Sequence, residues 1–393
     1  MEYAVNPYKP GAGRKPPVLA GRSDLTNALV RAMQQAAREG EGDRPFALWG
    51  LRGVGKTAVL RSICEYAAKE SWLVISLEAT PGESLARRIC QSAALELRRY
   101  RGAPQIASDG FKRALRVLKS FQLKVDPTGA YSFGIDIDPA VGFADTGVLS
   151  MDLQDLFDAL GEAAREAGGV ALVSIDELQE APLDDLKALN MALHAVGQEA
   201  SPEPIVVIGA GLPTLPGVLA NATSYAERLY RFFSIELLSD DAVREALEVP
   251  ARELGVEWKA DALAKAAEAS EGYPYFVQQF GSSIWDVRAN EHEITAEDAE
   301  IGMQVAREEI SRGLYRSRWE RVTPAGRRLM KALAGLGSSA DVSEIAKAMG
   351  KSSASDISPI RQRLVQDGQL YAPERGKLAF TIPGMAEYVL NAE

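Results

Sequence analysis

Short, almost wholly apolar runs punctuate the first part of the chain: Phe46–Trp49, Trp72–Leu77, Val170–Ile175 and Ile205–Ile208. Runs this short with so few polar positions predict strands buried on both faces of a sheet. Between them the apolar positions fall at helical spacing. Leu25, Leu29, Val30 and Met33 share one face, a helix is expected from about Glu83 to Tyr100, and Leu153, Leu156, Phe157 and Leu160 mark a helix over 152–167. Another passes through Leu186, Leu189 and Leu193, and Ile235–Leu237 predicts a short last strand. Strands alternating with helices imply right-handed crossovers and a parallel sheet with helices on both faces, an α/β fold. One segment breaks the pattern. Phe121–Val125 alternates with period two, Asp126–Gly129 supplies turn chemistry, and Tyr131, Phe133 and Ile135 alternate again, which predicts a hairpin inserted near 118–150.

From Ser239 the alternation stops. Val243, Leu247, Ala251 and Leu254 share a helical face, and helices are expected to about residue 312, with Thr295–Asp298 shaped as an N-terminal capping box. Beyond that, Thr323-Pro324 starts a helix carrying Leu329 and Leu333. Val342, Ile345, Ala346 and Met349 mark a second that stops at Gly350, and Ile357, Ile360 and Leu364 a third that stops at Gly368. Gln369–Tyr371, a turn at Pro373–Gly376, and Leu378–Thr381 then read as a hairpin; three helices followed by a hairpin predict a winged helix. At the other end, Pro7, Pro10, Pro16 and Pro17 with Gly11 and Gly13 exclude a helix and predict an extended arm. The expected organisation is therefore an arm over 1–17, an α/β core over 18–238 with the hairpin insertion, an all-helical lid over 239–312 and a winged helix over 313–393.

Composition narrows the classes. The chain has 393 residues and a net charge of −10, which argues against a protein that coats nucleic acid non-specifically. The C-terminal end differs: Glu320 to Glu393 holds ten Lys/Arg against eight Asp/Glu, a mildly basic balance. No apolar stretch approaches a membrane span and no secretory signal is visible, so a cytoplasmic protein without a membrane partner is expected. Cys64 and Cys90 lie in helix-like apolar contexts and read as buried reduced thiols.

Candidate chemistry sits at the first strand. Gly50-Leu51-Arg52-Gly53-Val54-Gly55-Lys56-Thr57 is a complete G-x4-G-K-T phosphate-binding loop, preceded by a strand and followed by a helix. Its glycines let the backbone curl so that N–H groups point at phosphate oxygens, and the helix start adds donors and a favourable dipole. The expected ligands are ATP and Mg²⁺: Gly50, Gly53, Val54, Gly55, Lys56, Thr57 and Ala58 around the phosphates, with the Thr57 hydroxyl on the metal. Val173–Glu177 supplies the second half. An apolar strand ending in Asp-Glu puts Asp176 at the sheet's carboxyl edge to hold Mg²⁺, and Glu177 beside it to polarise the attacking water. Hydrolysis of this kind also needs a cation on the transferring phosphoryl group, for which Arg228 and Arg231 are the candidates, either reaching a neighbouring subunit.

Gly50–Thr57, Val173–Glu177 and the helical block with Gly272-Tyr273-Pro274 resemble the AAA+ ATPases close to the archaeal-type and origin-recognition families, and the Gly-x-Pro motif also resembles the related STAND NTPases. The resemblance implies a P-loop NTPase core, Pro274 backing the adenine ring, and Val18–Arg22 as the adenine-side segment, with Arg22 in the nucleotide site. It implies ATP hydrolysis in a homo-oligomer assembled by ATP, and departures from the family pattern imply that the hydrolysis is slow. Two departures accompany it. Gly209-Ala210-Gly211 stand where a polar sensor residue is usual, Thr214 being the nearest substitute, and Tyr275 stands where many relatives carry a second sensor arginine.

For the output, the third C-terminal helix would present Ser358, Arg361, Gln362 and Gln366 to a major groove, with Arg375 and Lys377 of the wing on phosphates and Arg363 among the cations a DNA partner would meet. Asp356, Asp367 and Glu374 lie among them, and the alternative is a STAND-like switch whose winged helix contacts proteins or holds it closed. A third alternative is a nucleotide-binding protein with almost no turnover. The inserted hairpin is a candidate contact for a protein partner.

Overall fold

The computed structural model describes residues 5–11, 13–99, 108–125 and 138–392. The chain gathers into two compact units. A core unit holds Arg22–Gly50 and Lys56–Ile235; a helical unit holds the chain up to Gly21, the loop Leu51–Gly55, and everything from Glu236.

In the core unit the elements are α1 (Ser23–Glu39), β1 (Phe46–Trp49), α2 (Lys56–Lys69), β2 (Leu73–Glu78), α3 (Leu85–Arg99), α4 (Asp109–Val125), α5 (Leu149–Glu166), β3 (Ala171–Asp176), α6 (Leu183–Val196), β4 (Ile205–Gly211), α7 (Leu215–Ala222), α8 (Ala226–Leu229) and β5 (Arg231–Ser234). Five strands make one parallel sheet in the order β2-β3-β4-β1-β5. All of β4, and β3 up to Asp176, are buried, which is what strands covered by helices on both faces require. The last strand falls at Arg231–Ser234, a few residues before the expected Ile235–Leu237, because Phe46–Trp49 pairs with it in register.

The expected hairpin is a correction. Phe121–Val125 is not its first strand but the last turn of α4; residues 126–137, its turn and second strand, lie outside the described residues. Phe111, Ala114, Val117, Leu118 and Phe121 are all buried, a helical stripe that packs on Leu153, Leu156, Phe157 and Leu160 of α5. Over five residues the period of two was real; over eleven the helical period buries more apolar surface and wins. Among the described residues the insertion holds no strand: 118–125 belong to α4, and 138–148 are turns and irregular chain leading into α5.

The helical unit comprises α9 (Asp240–Glu253), β6 (Glu257–Trp258), α10 (Ala260–Ser270), α11 (Pro274–Val287), β7 (Glu293–Ile294) and α12 (Ala296–Ile310). A π-helical turn over Ser311–Tyr315 follows, then α13 (Arg316–Arg321), α14 (Pro324–Leu336), β8 (Ser339–Asp341), α15 (Val342–Ala348), α16 (Ser358–Gln366), β9 (Leu370–Tyr371), β10 (Lys377–Phe380) and α17 (Met385–Asn391). The two-residue strands β6 and β7, which no sequence signal announced, pair in parallel. The capping box forms as expected: Asp298 N–H donates to Thr295 Oγ1, and Thr295 N–H to Asp298 Oδ2. From α14 the order is helix, strand, two helices, two strands, with an antiparallel sheet β8-β10-β9 that adds β8 to the expected hairpin. Gly350 and Gly368, at φ 69° and 64°, end the helices before them in the left-handed conformation that favours glycine.

The proline-rich N-terminal segment is extended but is no loose arm. Tyr8 is buried; its hydroxyl donates to Leu247 C=O at 2.5 Å and accepts from Trp258 Nε1 at 3.0 Å. Asn6 Nδ2 donates to Ser282 C=O and to Asp286. A Cβ at Gly281 would stand 2.6 Å from the Tyr8 ring, so this glycine of α11 makes the seat. Val18–Gly21, expected in the core, also packs in the helical unit: Ala20 is buried there, and a Cβ at Gly21 would meet Ala242 at 2.7 Å.

Candidate active site

The phosphate loop begins where β1 ends. Gly50 N–H donates to Gly211 C=O at 3.2 Å, anchoring the loop's first residue to the end of β4. Gly53 and Gly55 have φ of 78° and 98°, which only glycine adopts without strain, and Val54 between them is buried. Lys56 and Thr57 open α2, and Ala58 is buried behind them. The Lys56 side chain is 5% exposed and its ammonium donates to Gly50 C=O at 3.0 Å, folded back over the loop.

The second half converges on the same helix start. Thr57 Oγ1 donates to Asp176 Oδ2 at 2.5 Å, bringing the two expected metal ligands together from α2 and β3. Burial pushes the Asp176 carboxyl above its ordinary range, against the hydrogen bonds from Thr57 and from Glu177 N–H and the charge of Lys56. Two hard oxygen donors meeting beside a buried ammonium fit Mg²⁺, which takes oxygen ligands and keeps several waters. Glu177 has φ 49°, left-handed for a residue with a Cβ. That conformation turns the chain out of β3 into a short 3-10 turn, Leu178–Glu180.

Sequence reasoning missed Gln179 in that turn. Its Nε2 donates to Glu177 Oε2 at 2.6 Å and to Glu180 Oε1 at 3.1 Å, while its Oε1 accepts from Leu212 N–H at 3.0 Å. Thr214, the expected substitute sensor, precedes α7 and makes no capping hydrogen bond with its side chain. In the helical unit, Tyr273 Oη donates to Arg52 C=O at 2.9 Å, and a Cβ at Gly53 would lie 2.2 Å from that hydroxyl. Pro274 is the first residue of α11 and Tyr275 packs against the unit's core. Arg22 precedes α1, where its carbonyl accepts from Thr26.

The two arginine candidates separate. Phe46, the first residue of β1, pairs with Arg231, so Arg231 lies at the sheet edge opposite the phosphate loop, which follows Trp49. Arg231 is tied down, in an ion pair with Asp43 at 3.0 Å and over the Phe46 ring at 5.0 Å. Arg228, on α8, is exposed, and its side chain has no partner among the described residues. Its platform is firm: Arg44 donates to the carbonyls of Arg228, Leu229 and Tyr230, and the buried Tyr230 hydroxyl donates to Asn190 Oδ1 at 2.9 Å.

These features decide the comparison with known proteins. Residues 18–208 match the family of the AAA ATPase domain. This stretch is an AAA ATPase domain. Residues 312–389 match a domain of unknown function, DUF8462. No curated protein matches the sequence. Among solved structures, the chain is similar to the ORC2 protein of Aeropyrum pernix, solved in ADPNP–ADP complexes, at 14% identity and a TM-score of 0.58, covering 97% of this chain and 96% of that one. The ORC1 protein of the same organism in complex with DNA gives 17% identity and 0.43, over 96% and 93%. The RuvB Holliday junction branch migration motor of Thermotoga maritima gives 16% and 0.45, over 95% and 96%. The first likeness carries the fold, an AAA+ core followed by helical and C-terminal parts. Nucleotide binding is the function that the AAA domain brings.

At the C-terminal end the cations expected on DNA are spread over α16 and the β9–β10 turn. Arg361 is half-buried and Arg375 exposed, neither with an ion-pair partner among the described residues. Arg363 pairs with Asp367 at 3.8 Å and Lys377 with Glu374 at 3.2 Å. Among the described residues no helix is long and apolar enough to cross a membrane.

Proposed function

We propose that this chain is a cytoplasmic ATP-dependent switch that binds Mg²⁺·ATP and hydrolyses it slowly. The observation that carries the reading is the Thr57–Asp176 hydrogen bond beside the buried Lys56, which joins the two halves of a phosphate and metal site. Lys56 and the loop N–H groups would hold the phosphates; Thr57 and Asp176 would hold Mg²⁺, which supplies charge neutralisation on the phosphoryl oxygens. Glu177 would take a proton from water as the water oxygen bonds to the γ-phosphorus, and the bond to the leaving oxygen breaks to give ADP and phosphate. Arg228 is the better candidate for the missing cation, and its exposed side chain, without a partner among the described residues, supports action on a neighbouring copy in an ATP-bound homo-oligomer. A DNA-linked output rests on the C-terminal element order, which is that of a winged helix, and on Arg361 and Arg375.

A second reading, a STAND-like regulatory switch with a protein partner at the C-terminal unit, draws support from the carboxylates that already pair with Arg363 and Lys377.

The test uses a fluorescent ATP analogue and phosphate release. Lys56→Ala should weaken binding about 100-fold by removing a charged partner of the phosphates. Glu177→Gln should keep binding and cut turnover by roughly 10²–10⁴-fold. Equal turnover in the wild type and Glu177→Gln would leave a nucleotide-binding protein without the proposed base.

A further inference from the structure

We infer that Gln179 is a positioning residue for hydrolysis, holding the Glu177 carboxylate from the end of β4, where the strand itself offers no polar side chain. The inference rests on the ATPase reading of Glu177. The orientation of the Gln179 amide is fixed by chemistry. Leu212 N–H can only donate, so the amide oxygen faces it at 3.0 Å, and the amide nitrogen must face Glu177 at 2.6 Å and Glu180 at 3.1 Å. Both ends of one side chain are thus committed, one to the strand and one to the carboxylate.

The glycines of β4 make room for this bridge. A Cβ on Gly211 would stand 2.3 Å from Gln179 Oε1, and one on Gly209 would stand 2.5 Å from Leu178 Cδ2. Neither glycine has a positive φ, so backbone conformation does not demand them; space does. The Gly209-Ala210-Gly211 run, polar-free where a sensor is usual, is therefore the seat of the turn that follows Glu177. The strained φ of Glu177 gives its side chain few ways to settle without that seat. A donor on an ionised carboxylate is a charge-assisted contact, and a bridge satisfied at both ends holds the oxygen it touches in one place.

The decisive experiment measures steady-state ATP hydrolysis, nucleotide affinity and melting temperature together for the wild type, Glu177→Gln, Gln179→Met, Gln179→Glu, Gly211→Ala and the Gln179→Met/Gly211→Ala double variant. Methionine keeps the length of Gln179 and removes both hydrogen bonds; kcat should fall roughly 10- to 100-fold with KM for ATP within about twofold. Gln179→Glu, which sets a third carboxylate against Glu177 and Glu180, should fall further. Gly211→Ala pushes Gln179 away without touching its chemistry and should reproduce the loss, and the double variant should lose no more than the worse single one. Wild-type turnover that disappears in Glu177→Gln but survives or rises in Gln179→Met overturns the positioning role and leaves the ATPase reading standing. Additive losses, or a loss tracked by nucleotide affinity or melting temperature, overturn it as well. A wild type without turnover overturns both.

Discussion

The phosphate site and the C-terminal cations are built by opposite means. In the core unit the site is tied together from distant parts of the sequence: Asp176 grips Thr57, and Leu212 anchors Gln179, which in turn holds its near neighbour Glu177. At the C-terminal end the candidate cations meet only close neighbours in sequence, Arg363 with Asp367 and Lys377 with Glu374, or no ion-pair partner among the described residues. Long-range contacts fix geometry before a ligand arrives, which is what transition-state stabilisation requires. Local surface pairs are worth little and exchange readily, which suits contacts to a partner whose position varies. The first pattern fits the proposed hydrolysis and the second the proposed contact with a partner.

Mixing subunits breaks this comparison first, because it asks whether the core unit also has a free cation to offer. In trans, Arg228→Ala should cost on the order of 10³-fold in turnover, with activity returning when Arg228→Ala subunits that keep Lys56 are combined with Lys56→Ala subunits that keep Arg228. Arg231→Ala, which loses an ion pair with Asp43 and a ring contact, should affect stability by about 1 kcal/mol and the rate little. No recovery in any mixture would remove the trans role of Arg228.

The C-terminal side of the comparison is sharpened by salt. If DNA is the partner, neutralising Arg361 or Arg375 should each weaken binding several-fold and reduce the slope of log affinity against log salt by about 1. Arg363→Ala and Lys377→Ala should do less, since each first gives up a carboxylate neighbour. No DNA affinity at low salt, with or without ATP, would give the C-terminal unit to a protein partner instead.

What was legible in the sequence follows the same division. Gly50–Thr57 and Asp176-Glu177 announced themselves because a phosphate loop needs glycine at positive φ and a lysine and hydroxyl at fixed spacing. The parallel sheet was legible because both faces of β3 and β4 are covered, which leaves no polar alternation. Gln179 was not, since a glutamine two residues past the Asp-Glu pair carries no spacing rule; its only trace is the pair of glycines across from it in β4. Tyr8 was hidden by the prolines around it, which report backbone conformation and say nothing of where one aromatic ring is buried. Residues 121–125 misled because five positions satisfy either period, and only the longer stripe from Phe111 decides for the helix.

The smallest effect contrasts one carboxylate from each unit. Burial raises Asp158 on α5 from an ordinary 3.8 to about 7, with Glu199, Asp155 and Glu203 adding to it and Arg113 opposing. For Asp298 burial acts the same way, but the Thr295 side chain, the N–H groups of Thr295 and Ala289, and the charge of Arg288 outweigh it and leave the carboxyl below its ordinary value. A folded state that holds its proton more tightly than the unfolded chain loses stability as pH rises through that window, so Asp158 weakens the core unit progressively between about pH 4 and pH 7. Asp298 does the reverse: its contribution is present above its unfolded value and is lost only as pH falls through the depressed one. Asp158→Asn should therefore raise the core unit's melting temperature at pH 8, by a gain of about 1–2 kcal/mol after allowing for its half-exposed position, and change little near pH 4. Asp298→Asn should lower stability at pH 8, with the difference shrinking only as pH falls below the ordinary carboxylate value of 3.8. Melting curves at pH 4 and pH 8 for Asp158→Asn, and at pH 8 and about pH 2 for Asp298→Asn, followed separately for the two units, check both signs; equal shifts at pH 4 and pH 8 for Asp158→Asn would mean that packing, not charge, sets its effect.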